Sequence, residues 1–134
     1  DHTLDGMIVA RQISGGVEMV LGLHRDPEAG LVLMAGAGGI WLELFKDVAF
    51  AVPPVTKEKA LDMLGRTKSA ALLKGYRGSP VCDINALADA VVALGTFASH
   101  AGEHIESVDL NPVIVLPEGQ GVFALDALIV LHRR

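Results

Sequence analysis

The last third of the chain constrains the fold more than any other stretch. Residues 105–116 and 122–131 are apolar runs rich in Val, Ile and Leu, and Pro117, Glu118, Gly119, Gln120 and Gly121 lie between them. Two such runs about a Gly- and Pro-bearing turn read as a β-hairpin. Four earlier segments carry strand patterns: residues 7–13, 17–24, 31–35 and 48–52. The first two are expected to pair as a hairpin through Ser14, Gly15 and Gly16. Residues 26–30 read as a second turn, and Gly36, Ala37, Gly38 and Gly39 as a flexible glycine loop. Residues 40–45 read as a helical turn or a bent connector.

Helical patterns fill the middle. Thr56 is suited to cap a helix over residues 57–66, with Ala60, Leu61 and Leu64 on one face. Residues 69–73 read as a short helix and residues 75–80 as a loop. Asp83 caps a longer helix that runs to about Ala101, with Leu87, Val91, Leu94 and Ala98 at helical spacing. Gly102 is a suitable stop. Strands, then helices, then a hairpin predict an α+β domain: a mostly antiparallel sheet with helices packed on one face, in a single domain over residues 1–134.

Composition narrows the function classes. The chain has 134 residues, 51% hydrophobic and 20% charged, with a net charge of −5. That is a globular composition with no basic run, which disfavours the phosphate backbone of a nucleic acid as a partner. A nucleotide phosphate is not excluded, because a divalent metal can supply the positive charge. The single cysteine, Cys82, forbids an internal disulfide and suits a cytoplasmic setting. The longest uncharged stretches, such as residues 31–42, are too short and glycine-rich to span a bilayer, so no membrane partner is expected. The start has neither Met nor a basic leader, so a fragment of a larger protein is expected.

The chemistry concentrates in the C-terminal hairpin. Asp109 and Asn111 are two apart on a strand and point the same way. If the turn centres between Glu118 and Gly119, Asn111 lies across from Asp126, with Cβ atoms roughly 5 Å apart. Two carboxylates and an amide oxygen on one patch suit a hard cation such as Mg²⁺, whose remaining ligands are waters and phosphate oxygens. A one-residue slip would break the set, and a polar strand end at a sheet edge is the competing reading.

With these residues in view, the chain resembles the ATP-grasp region of NDP-forming acyl-CoA synthetases. The resemblance runs in order through Gly15-Gly16-Val17-Glu18, Gly22, Asp26-Pro27, Gly30, Gly36, Gly38-Gly39-Ile40, Glu43 and Asp47. It continues through Gly75-Tyr76-Arg77-Gly78, Asp83, Asp109-Leu110-Asn111-Pro112 and Asp126-Ala127. It implies acyl-CoA thioester formation driven by ATP or GTP through acyl phosphate and phosphohistidine intermediates. It implies Asn111 and Asp126 as Mg²⁺ ligands, with Asp109 as a carboxylate bridged through water. Glu43 would lie near the phosphoryl-transfer path, and Gly38 and Gly39 would let backbone N–H groups approach anionic oxygens. Glu18 is expected to face the cleft. A first ATP-grasp lobe and the CoA-binding and ligase domains would be partners outside this chain; a homo-oligomer is left open.

The chain departs from the family pattern at Ala51 and Leu128, where Arg is usual, and at Ser107, where Glu is usual. Ala29 and Leu31 stand where Phe and Pro flank the turn glycine. These losses leave two alternatives to a ligase lobe: a nucleotide-sensing module without catalysis, and a subunit-interaction module. Trp41 is expected in the core or an interface, and His24, His100 and His104 on the surface.

Overall fold

The computed structural model describes residues 2–39 and 46–132. The connector expected over residues 40–45, with Trp41 and Glu43, lies outside the described residues.

Six strands form one sheet: β1 Val17–Asp26, β2 Gly30–Ala37, β3 Val48–Ala51, β4 Ile105–Val115, β5 Val122–Ala124 and β6 Ala127–Leu131. Their order is β3-β2-β1-β4-β5, and β6 also pairs with β4. Every one of these pairings is antiparallel. Three helices, α1 Lys57–Gly65, α2 Ala70–Leu73 and α3 Ile84–Ala101, sit between β3 and β4 in the chain. The α+β expectation therefore holds.

Period-two alternation sends Met19, Leu21 and Leu23 of β1, Leu33 and Ala35 of β2, and Val113 and Val115 of β4 to one face. All are buried in a single core with Ala60, Met63 and Leu64 of α1 and Leu87, Val91, Leu94 and Ala98 of α3. Each fully buried Leu or Val of this set contributes about 1.5–3 kcal/mol. The α1 face differs by one residue from the expected one, since Met63 is buried and Leu61 only partly. Both expected caps form. Thr56 Oγ1 accepts the Lys59 N–H at 3.2 Å, and Asp83 Oδ1 accepts the Ala86 N–H at 3.1 Å.

Four expectations need correction. Residues 7–13 form no strand; Met7, Ile8 and Val9 are exposed, because both edges of β1 are taken, by β2 and by β4. Strand β2 runs through Gly36 and Ala37, so the glycine loop is shorter than expected. Gly102 keeps a right-handed conformation and opens a 3-10 turn, Gly102–His104, in place of a left-handed stop. There Arg25 donates to the carbonyls of Gly102 and Ile105, which closes the helix end. Finally, α3 with its 3-10 extension is long and apolar enough to cross a membrane by length and composition. An uncharged-run criterion overlooks it because Asp89 and Glu103 interrupt it; here one side of it packs on the sheet.

Strand β6 is unusual. Ala127, Leu128, Ile129, Val130 and Leu131 are all exposed, and none is charged. It is tied at its end by His132, whose Nδ1 lies 2.6 Å from Glu106 Oε2.

Candidate functional site

The site is built on an irregularity in β4. Strand β1 pairs Met19 with Val113 but Leu21 with Leu110, so β4 holds one residue more than its neighbour between these points. The extra residue falls at Asn111–Pro112, where Pro112 has no N–H to give to a ladder. The far side of β4 responds in kind. The closing strand, expected unbroken over residues 122–131, is split into β5 and β6 by Leu125 and Asp126. These two still bond to β4: Leu125 N–H donates to the Pro112 carbonyl at 2.9 Å and Asn111 N–H to the Asp126 carbonyl at 3.3 Å.

Val113 pairs with Ala124 and Leu110 with Ala127, so Asn111 lies opposite Asp126. That is the register a turn centred between Glu118 and Gly119 requires. Both residues are exposed, as is Asp109. The Asp126 carboxylate accepts the Ala127 N–H at 2.8 Å, leaving it lone pairs for a further partner.

Asp83 holds this register. Besides capping α3, its second oxygen accepts the N–H groups of Gly119 at 3.1 Å and Gly121 at 3.0 Å. The helix start and the hairpin turn thus share one carboxylate. The N–H donors of Ala86, Gly121 and Gly119, with Lys57 nearby, hold the Asp83 carboxyl below its usual pKa. Asp26 is similarly lowered, by the N–H groups of Ala29 and Glu28 that close the β1–β2 turn. Its part in the motif is therefore a turn-forming one.

The sheet face away from the helices carries a groove of about 560 Å³. Asn111, Asp109, Ser107 and His24 line its polar part, and Met34 and Phe50 its apolar part. Gly22 forms the floor; a Cβ there would meet the Val108 carbonyl oxygen at 3.0 Å.

Glu18, Gly38 and Gly39 meet in a separate cleft at the end of β1 and β2. A Cβ on Gly39 would come within 3.2 Å of Glu18 Oε2, so the carboxylate lies against this loop. One expectation changes here. The Gly38 N–H donates to the Glu18 carbonyl at 2.9 Å, so it is committed within the protein. Gly38 is needed for close approach instead: a Cβ would sit 3.1 Å from the Glu18 main chain. Expected catalytic Glu43 lies outside the described residues.

The remaining candidates separate. Exposed His100 points its Nδ1 at the Thr96 carbonyl, 2.8 Å away, and His104 lies in the 3-10 turn. No group of three or more His, Cys, Asp or Glu residues suited to a metal occurs among the described residues. Cys82 is buried, and burial raises its thiol pKa, which argues against a nucleophile. Ala51 is buried in the core, Ser107 lines the groove, and Leu128 is exposed on β6. Two residues whose roles the sequence alone did not show are Asp83 at the hairpin turn and Asp47, whose carboxylate binds main chain about twenty residues away. Neither contact leaves a local spacing signal.

An ATP-grasp domain model matches residues 1–131. The chain belongs to the ATP-grasp family. A trans-feruloyl-CoA synthase from an unknown prokaryotic organism is 41% identical over 97% of this chain. The beta subunit of an ADP-forming acetate–CoA ligase I from Pyrococcus furiosus is 40% identical over 98% of it. This ATP-grasp chain spans 18% of the first relative's length and 55% of the second's.

Among solved structures, the dinucleotide-forming acetyl-coenzyme A synthetase 1 of Candidatus Korarchaeum cryptofilum matches with a TM-score of 0.83 and 41% identity. The match covers 90% of this chain and 55% of that one. That structure is a complex with coenzyme A and Mg-AMPPCP, its phosphohistidine segment pointing towards the nucleotide-binding site. A Pyrococcus horikoshii protein matches with a TM-score of 0.86 and 32% identity, over 92% of this chain and 52% of that one.

Proposed function

We propose that this chain is the metal- and nucleotide-holding lobe of an NDP-forming acyl-CoA synthetase. The observation that carries the reading is the placement of Asn111 opposite Asp126, with Asp109 on the same strand, in an ATP-grasp domain. The donor set fits Mg²⁺ chemically: exposed, all oxygen, two carboxylates and one amide. Asn111 and Asp126 would hold the metal, and Asp109 would reach it through water.

Held by Asn111 and Asp126, Mg²⁺ would supply positive charge against the phosphates of a nucleotide, the charge neutralisation that phosphoryl transfer asks of a site. The residues of this chain orient that charge. The bulge at Asn111–Pro112 presents the amide, and Asp83 keeps Asp126 across from it. Glu18 and the loop at Gly38–Gly39 wall the separate cleft at the end of β1 and β2. Glu43 is proposed for the phosphoryl-transfer path.

The reaction is assigned to a complete enzyme, since the chain spans only part of its relatives. Its partners are a first ATP-grasp lobe and CoA-binding and ligase domains; ATP or GTP is the nucleotide and the cytoplasm the setting. The test is acyl-CoA formation by the complete ligase carrying Asn111→Ala or Asp126→Ala. Loss of turnover with a raised Mg²⁺ requirement supports the assignment. Turnover with an unchanged Mg²⁺ dependence in both variants refutes it.

A further inference from the structure

Asp47 is a buried carboxylate with no part in the site described so far. It is 9% exposed. Its two oxygens accept the backbone N–H groups of Lys68 at 2.6 Å and Ser69 at 2.7 Å, in the turn between α1 and α2. Its own carbonyl accepts the Ala37 N–H at 3.1 Å. Ala37 is the residue before Gly38, and Gly38 is bonded to Glu18. One residue therefore ties the α1–α2 turn to the glycine loop.

Both ends of this tie are stiff. Thr67 Oγ1 donates to the Leu64 carbonyl at 2.8 Å, and Ser69 Oγ lies 2.8 Å from Thr67 Oγ1, so the turn is anchored to α1. Gly36 lets β3 approach closely: a Cβ there would sit 2.3 Å from the Asp47 carbonyl oxygen. Asp47, Lys68 and Ser69 line a cleft of about 290 Å³ whose wall at Ala37 and Leu72 is shared with the Glu18 cleft. A surface ion pair would impose no such placement. Two charge-assisted bonds to fixed N–H groups leave the main chain of residue 47 one position.

We propose that Asp47 is a positioning residue for phosphoryl transfer, setting the glycine loop against Glu18 by locking its own carbonyl onto Ala37. The proposal rests on the nucleotide reading above. An Asn at this position keeps one acceptor and turns an NH₂ toward the second N–H, so one bond becomes a clash of donors. Loop displacement by fractions of an ångström acts on rate more than on nucleotide affinity, because positioning is worth up to about a hundredfold per ångström.

The experiment uses the complete ligase, with single-turnover phosphoryl transfer from Mg-ATP measured by rapid quench. Asp47→Asn should lower the rate about threefold to thirtyfold with the KM for ATP nearly unchanged. Amide exchange at residues 37–39 should accelerate. Thr56→Ala, which removes the cap at the far end of α1 and leaves this tie untouched, should lower the melting temperature and leave the rate intact. Asp47→Glu keeps both acceptors on a longer arm and serves if the Asn variant does not fold; it too should lose rate. An unchanged rate in Asp47→Asn, or equal losses in Asp47→Asn and Thr56→Ala, overturns the proposal. Asn111→Ala separates the two readings. If it loses transfer while Asp47→Asn keeps it, only the positioning role fails. If neither variant loses transfer, the nucleotide reading fails as well.

Discussion

Replacing Gly36 and Gly65 by Ala, one at a time, should move stability in opposite directions. Gly36 lies inside β2, paired with Val48 of β3. A Cβ on it would lie 2.3 Å from the Asp47 carbonyl oxygen and 2.7 Å from Val48 Cγ1. The oxygen cannot retreat freely, because it accepts the Ala37 N–H at 3.1 Å. Overpacking of this kind costs about 1–3 kcal/mol, and a backbone neighbour puts this site in the upper half. Gly65 ends α1 with nothing within 4 Å of its missing Cβ and no left-handed φ. There Ala removes backbone freedom from the unfolded chain and gains about 0.4–1 kcal/mol. For 134 residues the unfolding entropy is about 0.28 kcal/mol per kelvin. Gly36→Ala should then lower the melting temperature by about 7–11 °C, and Gly65→Ala should raise it by about 1.5–3.5 °C. Differential scanning calorimetry at one protein concentration reads both. Equal melting temperatures for the two variants would refute the claim that β3 is pressed onto β2 at this point.

Three further outcomes are expected. Leu87→Ala opens the core beneath α3 at a fully buried position and should cost about 2–5 kcal/mol in urea unfolding with little change in the slope. The Asp83 carboxyl is held below 3.8 when folded, so its stabilisation is complete above that value and is lost as pH falls through the lowered one. Asp83→Asn should therefore flatten the acid limb of the stability curve below about pH 4, read by fluorescence-detected unfolding across pH, with little effect on its shape near neutrality. Thr56→Ala should cost about 1 kcal/mol in thermal unfolding through loss of the bond to the Lys59 N–H.

Most of the fold is legible in the sequence where a pattern is local. Thr56 and Asp83 announce their helices because a cap acts over three residues. The register of Asn111 with Asp126 is legible only as a condition, because a turn rich in Gly and Pro does not say where it centres; the fold centres it between Glu118 and Gly119. The break at Leu125–Asp126 is not visible, since the residues on both sides stay apolar and the cause is the bulge on the opposing strand. The misplaced strand over residues 7–13 has the right residues but no free edge on β1 to join. Asp47 reads as one acid in a motif, and only the fold shows that it grips Lys68 and Ser69.

Strand β6 bears on anyone who handles this chain in isolation. Five uncharged residues stand exposed at the rim of the sheet, without the charge or proline that usually blunts such a border. A strand like that is a template for its own kind. Solutions of the separate chain should therefore turn cloudy as they are concentrated, and a single lysine placed at Ile129 would serve as a gatekeeper that keeps them clear.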